Sequence, residues 1–178
     1  MPQPIRIPPG VTEKRRIEMS HPVVTVNHVS VPARALGESV RFYTDFLRLE
    51  QVPSPTFAVP TAWFSVGDRT LHVYEYGPTT DVSHIHHFAL ETSDFMGLYD
   101  HATNLGIKEK GFLSTIYELP DGGVQMYVRD PADNLIELVC RDRSTVDRGR
   151  IPEYKVLADT ISQEPASEGA RMFNYHLQ

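Results

Sequence analysis

Three histidines and one glutamate fall where this chain repeats itself. Val26-Asn27-His28-Val29-Ser30-Val31 opens one stretch, and Ile85-His86-His87-Phe88-Ala89-Leu90 opens a second. Arg69-Thr70-Leu71-His72-Val73-Tyr74 closes the first, and Asn134-Leu135-Ile136-Glu137-Leu138-Val139 closes the second. Aligning the openings pairs His28 with His87; aligning the closings pairs His72 with Glu137. Imidazole nitrogens and a carboxylate suit a divalent transition metal such as Fe, Mn, Ni, Co or Zn. A buried carboxylate also needs a partner, and a metal ion is a good one. Taken singly, each residue has a plainer reading: a hydrogen-bonded strand histidine, or a glutamate on a solvated face. Four of them on duplicated positions favour one metal site.

The elements that must position these residues repeat as well. Val23 to Val31 is β-branched and reads as a strand. From Gly37 to Leu49 the apolar residues Val40, Tyr43, Phe46, Leu47 and Leu49 keep helical spacing. Beyond Pro53 and Pro55, strands are expected near Thr56 to Val59, at Ala62 to Val66 and at Thr70 to Tyr76, the last two joined by a Gly67-Asp68 turn. The second copy follows the same order. Ile85 to Glu91 is a strand, and Asp94 to Leu105 a helix ended by Gly106. Phe112 to Leu119, Val124 to Val128 and Leu135 to Cys140 are three more strands. Each copy reads as βαβββ, an α+β pattern.

Strand side chains alternate between faces. His28, His72, His87 and Glu137 each stand opposite a mostly aliphatic pair, so the aliphatic face packs on the helices and the other lines a concavity. The same parity puts His84 and His86 on the wrong face, and Cys140 with Ile136 and Leu138 as a small core hydrophobe. His21, His101 and His176 lie outside the relevant strands. Gln125 and Tyr127 join the concave face, Tyr127 as a phenol able to donate to a bound oxygen. Trp63 and Ser65, or else Phe64, and Tyr74 wall the pocket. Glu137, His72 and Tyr127 are the candidate catalytic groups, and Trp63, Tyr74, Gln125 and Tyr127 the candidate substrate contacts.

Composition narrows the class. The 178 residues suffice for one well-cored domain. A net charge of -6 gives no basic field to attract nucleic acid or an anionic membrane. The single cysteine, Cys140, excludes an intrachain disulfide framework. No run approaches the ~20 apolar residues of a membrane span, and MPQPIRIPPG has no apolar signal-peptide core. A cytoplasmic protein with a small-molecule substrate is expected. Residues 1–22 read as a Pro-rich arm and 23–140 as the domain, with modules 23–80 and 84–140. Residues 141–178 form a polar tail, with a short helix near Glu153 to Ile161 and Met172, Phe173 and Tyr175 as anchors to a core or a partner subunit.

The paired βαβββ units and the string Tyr127-Val128-Arg129-Asp130-Pro131-Ala132-Asp133-Asn134-Leu135-Ile136-Glu137-Leu138 resemble the vicinal oxygen chelate superfamily of glyoxalases, bleomycin resistance proteins and extradiol dioxygenases. The resemblance covers roughly Val23 to Cys140. It implies eight strands in an open half-barrel around a central site, with ligands from the first, fourth, fifth and eighth strands, the positions of His28, His72, His87 and Glu137. It implies a homodimer and a metal-dependent enzyme that chelates two neighbouring substrate oxygens. That enzyme is a lyase or isomerase, alternatively an Fe(II) dioxygenase, alternatively a non-catalytic ligand-binding protein. Two departures stand out. Asp133 occupies a turn position that is usually Gly, and Asp tolerates left-handed backbone. Tyr117 to Gly122 lacks the second-sphere histidine of the extradiol pattern.

Overall fold

The computed structural model describes residues 26–77, 85–163 and 165. The N-terminal arm, the start of the first expected strand, His21, His84, His176 and the Met172, Phe173 and Tyr175 anchors lie outside the described residues.

Two modules with the same strand order follow one another. In the first, β1 (His28–Ala33), β2 (Gln51–Val52), β3 (Thr61–Val66) and β4 (Arg69–Glu75) form a sheet ordered β1-β4-β3-β2. In the second, β5 (His87–Glu91), β6 (Ile116–Glu118), β7 (Val124–Arg129) and β8 (Leu135–Cys140) are ordered β5-β8-β7-β6. In both, the first strand pairs in parallel with the last, and the other pairings within the repeat are antiparallel. The expected α+β class holds, and the described residues form no single continuous eight-stranded sheet. They make two separate mixed sheets, and the second gains a fifth strand, β9 (Tyr154–Val156), parallel to β6.

The alternation read from the sequence becomes a single core. Val31, Ala62, Phe64, Leu71 and Val73 of the first sheet, and Val124, Met126, Val128, Ile136 and Leu138 of the second, are all buried in it. Phe42, Tyr43 and Phe46 of the first helical segment, and Phe95, Tyr99 and Ala102 of the second, complete it. With Ala62 and Phe64 inward, Trp63 and Ser65 take the opposite face, which removes the register ambiguity of that strand.

The helical segments differ. α1 (Leu36–Arg41) continues into one π turn, Phe42–Phe46, where the sequence suggested one helix to Leu49. The wider turn lets Phe42, Tyr43 and Phe46 all face inward. The segment leaves through Arg48, a non-glycine residue at φ 55°. α2 (Phe95–Leu105) starts on Asp94, whose side chain accepts from the Gly97 amide, and ends on Gly106 at φ 67°. Gly106 meets the left-handed requirement without steric strain, whereas Arg48 bears it.

Other boundaries also moved. Strand β2 sits at Gln51–Val52 and not at Thr56 to Val59. Pro53, Pro55 and Pro60 remove amide donors from the later stretch, so pairing stops before them. Strand β6 keeps only Ile116–Glu118, because residues 111–114 turn back on themselves through Ser114 N–H to Gly111 O. In the tail, helix α3 is one turn, Leu157–Thr160. The segment ahead of it docks by polar latches: Tyr154 donates to buried Glu118 at 2.7 Å, Arg143 reaches the same carboxylate, and Lys108 pairs with Glu153.

The modules are tied through Asp130, 4% exposed. Its Oδ1 accepts the amides of Ala132 and Asn134 at 2.9 and 2.8 Å. Its Oδ2 accepts Tyr43 of the first module at 2.9 Å and the Asn134 side chain at 2.8 Å. Asn134 also donates to Pro32 O on β1. Asp133 adopts φ 67°, the left-handed turn conformation anticipated for it. Tyr43→Phe removes a donor from a buried acceptor, and the expected loss is about 1–2 kcal/mol in urea unfolding. Asp130→Ala strands several donors together, and its expected loss is larger, about 3 kcal/mol.

Candidate functional site

Sheet register turns the sequence repeat into geometry. In the first sheet Ser30 pairs with His72 and His72 with Trp63. In the second, Ala89 pairs with Glu137 and Glu137 with Tyr127. Ser30 lies two residues after His28, and Ala89 two after His87. The triplets His28, His72, Trp63 and His87, Glu137, Tyr127 therefore occupy equivalent positions on the faces turned away from the helices. The sequence paired four of these residues; the equivalence of Trp63 with Tyr127 needed the strand register.

In the second triplet, His87 Nε2 lies 3.1 Å from Glu137 Oε2. Tyr127 donates its hydroxyl to the same oxygen at 2.6 Å, and its ring meets His87 edge-on. His87 Nδ1 lies 2.8 Å from Ile85 O. A carbonyl only accepts, so Nδ1 carries a hydrogen, and the neutral ring has its lone pair on Nε2. That lone pair faces a carboxylate oxygen. The contact is favourable only with a cation or a proton between them. Glu137 is buried, with buried Leu135 and Val139 on either side of it on the strand, so its charge has little water to rely on. Burial pushes the Tyr127 phenol well up, and its hydrogen bond to Glu137 and that residue's charge push it further.

The first triplet is a stack of rings. His72 lies 3.9 Å from Trp63 at an interplanar angle of 4°, and 4.2 Å from His28 at 16°. Strand β4 runs between β1 and β3, which puts His72 between the other two. His28 Nδ1 is engaged by Asn27 Oδ1 at 2.8 Å, leaving Nε2 as its ligand atom. His72 Nε2 meets Thr70 Oγ1 at 2.9 Å, while its Nδ1 is buried with no partner, as is Trp63 Nε1. Burial, and then the charge of neighbouring His28, hold the His72 imidazole below its ordinary range.

The candidate ligands thus come as two pairs. Among the described residues no three of His, Cys, Asp and Glu gather as a metal cluster. The residues fit a metal in chemistry: His28 and His87 each have Nδ1 tied back and Nε2 left as the ligand atom, and the other donors are a buried carboxylate and a histidine with an unpartnered nitrogen. Two parallel rings, however, send their in-plane lone pairs side by side, so His28 and His72 share an ion only if one ring turns.

The remaining candidates divide similarly. Tyr74 lies near His72, and Gln125 is half-buried on the Tyr127 face; Trp63 and Tyr74 belong to one module, Tyr127 to the other. Arg129 is closed on Glu109 at 2.5 Å and on Asp133 O at 2.7 Å, so it is no pocket cation. Cys140 is buried among apolar residues, and burial raises its thiol. Asn27 and Thr70, which orient the imidazoles, were missed in the sequence; the available signal was Asn27 next to His28 and Thr70 two residues before His72 on the same strand face.

Residues 25–138 match the sequence model described as Glyoxalase/Bleomycin resistance protein/Dioxygenase superfamily. No curated protein matches the chain. Solved structures share the fold at low identity. A lactoylglutathione lyase from Agrobacterium tumefaciens is 21% identical over 67% of this chain and 95% of its own, with TM-score 0.50. A genomically encoded fosfomycin resistance protein, FosX, from Listeria monocytogenes is 14% identical over 66% and 93%, with TM-score 0.51. A glyoxylase/bleomycin resistance protein/dioxygenase domain from Frankia sp. EAN1pec is 21% identical over 67% and 93%, with TM-score 0.54.

Trp63 is the sole tryptophan, and its stack on His72 makes it a reporter of that imidazole. A pH titration of its fluorescence is expected to show a midpoint below the ordinary histidine value of about 6.5. His72→Ala should abolish the step, and His28→Ala should move it upward by removing a neighbouring charge. A midpoint at or above the ordinary value would contradict this environment.

Proposed function

The chain belongs to the glyoxalase/bleomycin resistance protein/dioxygenase superfamily, and on that premise we propose that it is a metal-dependent enzyme of lyase or isomerase type. Its substrate is a small molecule with two neighbouring oxygens. The observation that carries the reading is His87 Nε2 facing a buried Glu137 oxygen at 3.1 Å while Nδ1 is committed to the Ile85 carbonyl. His28, His72, His87 and Glu137 would hold the ion, drawn from Fe, Mn, Ni, Co and Zn by ligand type. When bound, such an ion supplies Lewis acidity to the substrate oxygens.

The chain's own groups do the rest. Tyr127 keeps its proton, since burial and the neighbouring carboxylate both oppose ionisation; its single hydrogen is given to Glu137, and it reaches negative charge developing on the substrate only by leaving that oxygen. Glu137 is the group placed to move a proton, with Tyr127 orienting one of its oxygens. The Ile85 carbonyl and Asn27 fix the tautomers of His87 and His28. Gln125, on the same face as Tyr127, lines the substrate side.

The separation of the two half-sites supports a homodimer. Among the described residues, strands β1 and β5 are edge strands of separate sheets, each paired on one side. We place His28 and His72 of one copy against His87 and Glu137 of a second.

A second reading is favoured by the His72 stack. With its ring held between His28 and Trp63 and its Nε2 on Thr70, His72 stays off the ion as a neighbouring acid or base. His28, His87 and Glu137 then form the two-histidine, one-carboxylate face of an Fe(II) dioxygenase.

The purified protein is expected to hold about one divalent metal per chain. His28→Ala, His87→Ala and Glu137→Ala should each abolish tight binding, and unchanged metal content in Glu137→Ala would overturn the site. Hemithioacetal turnover without oxygen supports the lyase, whereas oxygen uptake with catechol after anaerobic Fe(II) loading supports the dioxygenase. Mixing His28→Ala with Glu137→Ala chains tests the dimer. A site shared between chains regains metal binding in the mixed dimer, where one site has all its ligands; a site within one chain regains none.

A further inference from the structure

We infer that β9, the strand outside the repeat, completes a subsite for a carboxylate of the substrate, held by Lys155 together with Tyr117 and Gln125. That this face carries the substrate rests on the proposed function; the subsite's own evidence is strand register and unused donors.

On the second sheet, the face turned away from the helices can be followed row by row. Ala89, Glu137 and Tyr127 pair in one row. The next row pairs Glu91, Val139, Gln125, Tyr117 and Lys155 across all five strands. Ile116 and Glu118 are buried and Tyr154 packs on the core, so alternation sends Tyr117 and Lys155 to the open face with Gln125. From strand spacing and rise, the Lys155 and Glu137 Cα atoms stand roughly 16 Å apart. The flexible lysine stem covers part of that gap, and a ligand of moderate length covers the rest. Residues 25–138 carry the family pattern, and Lys155 lies beyond them. Its strand is nonetheless pinned: Ile116 N–H donates to Glu153 O at 3.2 Å, and Tyr154 donates to Glu118.

The donors in this row are uncommitted. Among the described residues, the side chains of Lys155, Tyr117 and Gln125 have no hydrogen-bond or ion-pair partner, although Tyr117 and Gln125 are half-buried. The neighbouring cations are already closed: Arg129 on Glu109 at 2.5 Å, and Arg141 on Glu91, at the far end of the row, at 2.5 and 2.9 Å. Glu91 is thereby neutralised, and Lys155 stands open in a chain whose net charge is -6. An ammonium, a phenol hydroxyl and a side-chain amide all donate, and together they offer one positive charge. That set suits a singly charged carboxylate, whose two oxygens accept several hydrogen bonds. A phosphate dianion would lack a second cation. The subsite therefore selects substrates that carry a carboxylate at the end remote from the reacting oxygens.

The test titrates the full chain, at measured metal content, with 7,8-dihydroxyoctanoate and separately with 7,8-dihydroxyoctanamide, followed by calorimetry at low salt. The two probes differ only in the charge at the end remote from the diol. The carboxylate is expected to half-saturate at about fivefold lower concentration than the amide. Added salt should shrink that advantage. Lys155→Met should remove it while leaving the amide's affinity unchanged, and Lys155→Arg should keep most of it. Tyr117→Phe should remove a smaller part. Equal affinity for the two probes, no saturable binding of either, an undiminished preference in Lys155→Met, or an equal loss for both probes in that variant would each overturn the inference. If the protein takes up no metal yet prefers the carboxylate in a Lys155-dependent manner, the subsite stands and the metal-dependent function fails.

Discussion

The carboxylate of Asp130 is the constraint on which the rest depends. It is buried, and burial raises its pKa, while the donors around it, with Asn134 foremost and Tyr43 behind, favour the charged form. Through Tyr43 it holds the π turn of the first module. Through Asn134, which also reaches Pro32 O, it holds the end of β1. One polar knot thus fixes how the first module meets the second, because a buried carboxylate tolerates few arrangements of its donors. It also shapes the β7–β8 turn, and so the register that brings Glu137 opposite Tyr127.

Within that frame, duplication gives two equivalent triplets with different chemistry. A histidine at position 72 allows a stack of rings; a glutamate at 137 allows a charged group held by a phenol and an imidazole. The difference follows from what each side chain does when buried. An imidazole can be neutral and lie flat between an indole and another imidazole. A carboxylate requires donors, and Tyr127 supplies one. The first module therefore presents an apolar, ring-lined surface, and the second a polar, proton-bearing one. A substrate spanning both would meet packing on one side and proton chemistry on the other.

The C-terminal segment shows how a sheet edge is managed. Strand β6 is short, and its outer side is covered by β9. The polar latches to Glu118 and Lys108 that hold β9 in place are backed by buried Val146 and Ile151. In the first sheet, β2 has only Gln51–Val52, and the prolines that follow discourage further pairing. The two modules share a strand order and protect their outer edges by different means.

Much of this was legible in the sequence. Period-two alternation placed the aliphatic residues of β1, β4, β5, β7 and β8 inward and the candidate ligands outward, because a strand leaves a side chain no third direction; β3, apolar on both faces, was left open. The repeat paired His28 with His87 and His72 with Glu137, and Asp133 met its left-handed position. Elements set by competition between local preferences were not legible: the π turn, the shortened β2 and β6, and a ninth strand from a polar tail. Nor was the state of the ligands. The sequence alone determined which residues share a face. Only the tertiary structure decided that His72 stacks between Trp63 and His28, and that His87 faces Glu137 with its other nitrogen already committed. The physical reason is that a face follows from local backbone geometry, whereas a ring's orientation depends on neighbours that only strand register brings together.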